Sequence, residues 1–235
     1  MAPYLQAGKY LYESVATYRI SPLSKPMESL MQLYFAPGAC SLASHITLRE
    51  AGLPFDLKRA DTKTKKLEDG SDYYAINSKG SVPALKLDNG QVLTEGVAIM
   101  QYVADQKPES GLAPKNGTFE RYRVQEWLNY ITSEVHKSFS PLWNPTLDPA
   151  IKEYATANLL KKFDWLESQL KGKKFLTGDT FTVADAYLFT VVNWTNFLGI
   201  DLAKWPVLKE FLARVAARPK VQEAMAAEGL NKKAA

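Results

Sequence analysis

The spacing of apolar and polar positions changes about halfway along the chain, and the change predicts two kinds of structure. Met31-Gln32-Leu33-Tyr34-Phe35 has the pattern of a short strand that ends at Pro37-Gly38. An amphipathic run follows and stops at Gly52, with Pro54 two residues on, so two independent signals end a helix there. Phe55-Asp56-Leu57-Lys58 alternates as a half-buried strand does. A polar, basic stretch to about Asn77 has room for a short helix. Val82-Pro83 precedes a strand over Ala84 to Leu87, Asp88-Asn89-Gly90 supplies a turn that tolerates positive φ, and Gln91-Val92-Leu93 returns. Thr94 is placed to cap a helix running to about Asp105. The order β-α-β-(α)-β-β-α predicts a parallel pair joined by a crossover helix, then a hairpin and a second helix.

Lys107 to Asn116 carries two prolines and a glycine and reads as a linker. Beyond it the period-two signal disappears. The helical period predicts helices over about Thr118 to Ser138, Ala150 to Leu170, Val183 to Phe197 and Val207 to Ala217. Thr182-Val183-Ala184-Asp185 is a variant capping box opening the third, which makes Asp185 a structural acid. The expected organisation is an α/β domain over residues 31–111, an all-α domain over 117–230 and a short tail at 231–235. Residues 1–30, rich in Tyr, Ser and Pro without a clear period, are expected to be a disordered extension or an upstream start artefact.

Composition narrows the function classes. The chain has 235 residues, 46% of them hydrophobic, enough for a substantial core. No apolar stretch approaches the roughly 18 residues of a membrane span. The first thirty residues hold no apolar core of a secretory signal. A single cysteine makes no internal disulfide and fits a cytoplasmic location. The net charge of +4 is modest, and Lys63 to Lys66 and Lys171 to Lys174 read as solvated basic loops, so no nucleic acid is expected. His45 and His136 lack a cysteine cluster, so no metal site is expected.

The lone cysteine carries the first chemical question. Cys40 falls between a Pro-Gly turn and the start of a helix, where free N–H groups and the macrodipole favour a thiolate and depress a thiol pKa. By position type alone, the small buried apolar residue is the commoner role of a free cysteine. Ser41, Leu42 and Ala43 follow, so there is no Cys-x-x-Cys pair. A reactive thiol here would form a mixed disulfide with an external thiol or position one by hydrogen bonding. Ser41 is either a neighbouring hydroxyl of the site or an ordinary first-turn residue.

Other groups suit a small thiol peptide. A cis bond at Val82-Pro83 would leave the Val82 backbone open to an extended ligand; a plain edge-strand proline is the simpler reading. Thr94-Glu95-Gly96 opens a helix whose N–H groups suit a carboxylate, and Glu95 could meet an ammonium or merely stabilise the first turn. Lys65 could pair with a carboxylate. On the helix after the linker, Val124, Leu128, Ile131 and Val135 make a core stripe. Asn129, Ser133 and His136, with Lys137 beside them, make a polar stripe that is either a solvated face or the far wall of a cleft. His45, five residues past Cys40, points well round the helix and reads as structural.

Taken together, "APGACSLASHI", "NSKGSVPALKLDNGQVLTEGVAIMQY", "EWLNYITSEVHK" and "FTVADAYLF" resemble the glutathione transferases, most closely the bacterial beta class, from about Met31 to Leu230. The resemblance implies the glutathione transferase fold: an α/β thioredoxin-like N-terminal domain plus an all-α C-terminal domain, assembled as a homodimer. It implies that Cys40 meets the glutathione sulfur and forms a mixed disulfide with it, that Val82 pairs with the peptide backbone and that Pro83 is cis. It places Glu95 and Gly96 at the γ-glutamyl end, with Lys65, Ser133 and His136 lining the same site. Asn129 would reach across the dimer, and Lys137 would border the pocket of a hydrophobic electrophile. Cys40 and His136 are then the catalytic candidates, and glutathione is a co-substrate with no further cofactor. Phe35 stands near where other classes place an activating tyrosine, with Tyr34 one residue off, which favours Cys40. Two alternatives use the same chain: thiol–disulfide exchange or peroxide reduction through Cys40, and a non-catalytic carrier of hydrophobic ligands using Trp143, Trp194 and Trp205.

Overall fold

The computed structural model of the chain describes residues 31–231. The expected extension over 1–30 and nearly all of the tail lie outside them. Four strands, β1 Met31–Phe35, β2 Phe55–Arg59, β3 Ala84–Lys86 and β4 Val92–Thr94, form one mixed sheet in the order β2-β1-β3-β4. β1 and β2 are parallel, with Leu33 opposite Leu57, and are joined through α1 Ser41–Ala51. β3 runs antiparallel to both β1 and β4. Gly52 ends α1 in the left-handed conformation at φ 67°, a backbone state that glycine adopts without steric cost. α2 Gly96–Gln106 packs with α1 over the sheet, burying Leu33, Leu42, Ile46, Leu85, Ile99 and Val103. The sheet, its crossover and its covering helices make a thioredoxin-like domain. The short helix expected before Asn77 is one 3-10 turn, Tyr73–Ala75.

The second domain is helical. α3 Phe119–Tyr130 is continuous with a π-helical stretch, Ile131–His136, and with α4 Lys137–Phe139. The expected uninterrupted α-helix to Ser138 is therefore corrected. Thr132, Ser133 and Ser138 each donate a side-chain hydroxyl to the carbonyl four residues back. Such bonds compete with backbone N–H groups for those carbonyls and loosen the ladder. Beyond it come α5 Pro149–Leu170, α6 Val183–Val192, α7 Thr195–Leu198, α8 Pro206–Ala216 and α9 Pro219–Ala227. The helix expected over 183–197 breaks between Val192 and Thr195. Every residue of α6 is buried, as an all-round apolar helix requires.

Two buried polar features fix the fold, the first of them across the domain boundary. Arg121, 2% exposed, sends its guanidinium to both oxygens of Asp105 at 2.8 and 3.0 Å and to the Pro114 carbonyl. That ties the start of α3 to the end of α2, and it holds the Asp105 carboxyl below the usual range. The capping box at Thr182 forms in full: Asp185 accepts from Thr182 N, Thr182 Oγ1 and Leu176 N at 2.8–2.9 Å. One buried cluster runs through both domains. Among the described residues, no helix is long and apolar enough to cross a membrane.

Candidate functional site

The Pro37-Gly38 turn delivers Cys40 to the N-terminus of α1, where it is the N-cap residue without a side-chain cap bond. The residue is half-buried, and its thiol donates to the Val82 carbonyl at 3.3 Å. Desolvation pushes the thiol up to about 11, against the smaller lowering effects of the Cys40 and Ser41 backbone N–H groups and of Lys137. Of the two readings of Cys40, burial favours the protonated thiol, a hydrogen-bond donor near neutral pH. The helix terminus acts in the expected direction, but burial outweighs it.

Ser41 is fully buried, donates to the Ala36 carbonyl and accepts from the Ala36 N–H, both at 3.2 Å. It folds the turn and is not a site hydroxyl. Tyr34 is buried in a separate cluster against Tyr73, with its hydroxyl on Gln32.

The Val82-Pro83 bond is cis and both residues are buried. Lys65, at φ 59°, lays its side chain beside Gly80 and donates Nζ to the Gly80 carbonyl at 2.8 Å, two residues before Val82. Glu95, not Thr94, is the N-cap of α2, and it has φ 69°. A non-glycine residue held in that region marks local strain, which clusters at functional sites. Its exposed carboxylate pairs with Lys79 Nζ, which also reaches Thr94 Oγ1. Lys79 was not singled out from the sequence. Its spacing from Glu95 gives no periodic signal, because the pair spans a loop and a hairpin. Gly96 follows beside Pro83, whose Cγ would lie 3.6 Å from an added Cβ.

The helical domain supplies the facing wall. Trp194 donates Nε1–H to the Gly38 carbonyl at 2.8 Å, two residues before Cys40. His136 packs edge-on against Trp194 at 4.9 Å and bonds through Nδ1 to the Tyr187 hydroxyl at 2.7 Å. Burial, and secondarily the Lys137 charge, lowers its pKa to about 4, so the ring is neutral in ordinary buffers. The structure therefore brings Cys40, Val82, Pro83, Glu95, Gly96 and Lys65 together on one domain. It sets His136 and Lys137 opposite them. Asn129 and Ser133 lie further back on the same helix, exposed, with Ser133 bonded only to the Asn129 carbonyl.

His45 is structural, as expected: it is fully buried and bonds Glu228 at 2.8 Å, while Glu228 also accepts from the Gly38 N–H at 2.9 Å. Glu228 lies at the end of α9, a helix absent from the sequence expectation. Pro219 at its first turn was the available signal. A cavity of about 880 Å³ lined by Trp127, Tyr130 and Trp165 touches none of these candidates.

The site thus belongs to a two-domain protein in which a thioredoxin-like domain presents a lone thiol beside a cis-proline and a helical domain faces it. Residues 38–106 match the family described as glutathione S-transferase, N-terminal domain, and residues 131–219 the corresponding C-terminal domain. The chain is 49% identical to glutathione S-transferase GstA of Escherichia coli O157:H7, over 86% of this chain and 100% of that protein. A sphingomonad glutathione S-transferase complexed with glutathione superposes with a TM-score of 0.82 at 43% identity, over 85% of this chain and 99% of the other. A beta class enzyme of Sphingomonas chungbukensis gives 0.82 at 45% identity, with the same two coverages. This chain belongs to the glutathione S-transferase family, among its bacterial beta-class members.

Proposed function

We propose that the chain conjugates the thiol of glutathione to hydrophobic electrophiles. The carrying observation is the order of groups along one edge of the first domain. A thiol stands at Cys40, the Val82 backbone lies beside it, and the Glu95-Gly96 helix entrance follows. A γ-glutamyl-cysteinyl peptide has the same order: sulfur, backbone amides, then a terminus with both ammonium and carboxylate. Lys65 is placed for the second carboxylate. The glutathione thiol gives up its proton to solvent, and its sulfur attacks the electrophilic carbon. The leaving group then departs with the bonding pair. Cys40, being protonated, serves by turning its S–H from the Val82 carbonyl to that sulfur, which stabilises the thiolate, while the peptide's backbone takes its place on Val82. On this reading the electrophile meets His136, Lys137, Trp194 and the half-exposed Trp143.

Mixed-disulfide chemistry would require Cys40 itself to ionise, which its burial opposes. Phe119 and Tyr122, 66% and 58% exposed, lie on the same helix as Asn129 and offer an apolar face for a second copy. We read the working unit as a cytoplasmic homodimer, to be checked by analytical ultracentrifugation. The deciding assay is glutathione-dependent conjugation of a chloronitrobenzene by wild type and Cys40→Ala. Loss of rate in the variant supports Cys40 at the sulfur. An equal rate removes Cys40 from the mechanism, and no rate in either protein overturns the conjugation reading.

A further inference from the structure

We propose that Tyr187 is a positioning residue for His136: its phenol O–H donates to Nδ1, fixes the imidazole as the Nε2–H tautomer, and so gives the cleft a neutral hydrogen-bond donor. The inference rests on the reading that His136 serves glutathione transfer.

Three observations carry it. The Tyr187 oxygen lies 2.7 Å from His136 Nδ1, a short hydrogen bond that the phenol O–H can donate. Tyr187 is 5% exposed on the fully buried α6, and a phenol so placed needs an acceptor for its proton. Among the described residues, His136 Nδ1 is the one hydrogen-bond partner of the Tyr187 hydroxyl. Finally, His136 Nε2 has no partner among the described residues and is not among the sealed, unbonded buried atoms, so it reaches solvent. One ring nitrogen is thus locked inward and the other left open.

Two packing contacts hold the ring in this pose. The edge-on contacts to Tyr187 at 5.9 Å and to Trp194 at 4.9 Å stop it from turning over. Trp194 in turn is anchored to the Gly38 carbonyl, so the imidazole and the Cys40 turn are referenced to one indole. The titratable or charged groups around the pair are Lys137 on the same helix and Cys40 and Glu95 from the facing domain. Lys137 opposes a second positive charge, and the donated O–H bond stabilises the neutral ring. His136 therefore acts as a donor to negative charge developing on sulfur or electrophile, and not as a base.

The test begins with nitrogen-15 NMR of the wild type, which has only two histidines, the second assigned by loss of its signals in His136→Gln. The expected result is an unprotonated Nδ1 and a protonated Nε2, unchanged from pH 8 down to about 5. A protonated Nδ1 overturns the proposal without any variant being needed. In Tyr187→Phe, which keeps the ring volume, the tautomers should mix and the histidine should titrate nearer its ordinary value. The kcat for chloronitrobenzene conjugation should fall roughly tenfold, less than the roughly 100–1000-fold loss of a whole preorganised donor, because the variant frees the tautomer without removing the imidazole; a new inflection should appear between pH 5 and 7. An unchanged pH profile and tautomer in that variant would also overturn the proposal. If the NMR result holds but His136→Gln conjugates at the wild-type rate, the Tyr187 relay stands and the catalytic reading of His136 fails.

Discussion

Glu228→Gln is nearly isosteric, yet it strikes the tie between the last helix and the turn that presents Cys40. The Arg49 Nε–H donates to His45 Nε2 at 2.8 Å, and arginine does not give up that proton. The His45 ring proton must therefore sit on Nδ1, donating to Glu228 Oε1, while the Gly38 N–H donates to Oε2. Both donors are fixed, and neither can become an acceptor. Glutamine offers one oxygen and one NH2, so one buried donor loses its partner and faces another donor. That costs about 2 kcal/mol. For a chain of this size the expected fall in Tm is about 4–8 °C, and roughly double in Glu228→Ala, which strands both donors. Gly38 stands two residues before Cys40, so loosening the turn should raise the KM for glutathione about 3–10-fold, more than it lowers kcat. Differential scanning calorimetry and glutathione-dependence kinetics on the three proteins check this. A Tm within about 1 °C of wild type in both variants would refute the reasoning.

Other expectations follow from single residues. Burial pushes the Asp185 carboxyl up to about 6 from 3.8, so its stabilising contribution is complete below about pH 4 and is lost as pH rises through 6. The stability of wild type relative to Asp185→Asn should shrink by about 3 kcal/mol between pH 4 and 7 in urea melts, and a constant difference would contradict it. Alkylation of Cys40 by iodoacetamide should be slow at pH 7.5 and rise toward a midpoint near 11; a midpoint below that of free cysteine would show that the helix terminus wins after all. Glu95→Gln should raise the KM for glutathione roughly tenfold. It should leave Tm unmoved, because the Lys79 pair is exposed; an unaltered KM removes Glu95 from the site.

The periodicities that bury a core were legible, and those that bend it were not. β1, α1, β2 and the β3–β4 hairpin declared themselves because each carries its own boundary, such as Pro37-Gly38, Gly52-Pro54 or Asn89-Gly90. The π-helical stretch was missed because Val124, Leu128, Ile131 and Val135 still bury one face through it. Its sign is the run of hydroxyls at Thr132, Ser133 and Ser138, a pattern that pure hydrophobic spacing ignores. In the site, Cys40, Val82-Pro83 and Glu95-Gly96 were visible as local motifs. Lys79, Tyr187 and Glu228 were not, because each meets its partner across a loop, a helix pair or nearly the whole chain. The direction of the Cys40 shift was not legible for a related reason. A helix terminus is read from neighbouring residues, whereas desolvation depends on everything folded against it.

On the proposed reading, that burial biases where negative charge sits when two thiols meet. Two sulfurs in contact cannot both ionise cheaply, so a bound glutathione and Cys40 would share one charge, and the pair would titrate as a unit. The desolvation that keeps the Cys40 proton in place biases that charge toward the incoming sulfur, the one that must attack. A Cys40 with a depressed pKa would draw the charge to itself and leave the peptide thiol protonated, which suits disulfide exchange and not conjugation. No second cysteine stands in the chain to resolve a mixed disulfide. On the proposed reading, the lone thiol is useful because it is a weak acid. It donates to a stronger nucleophile from the front, while the neutral His136 N–H supplies a second donor from the facing domain.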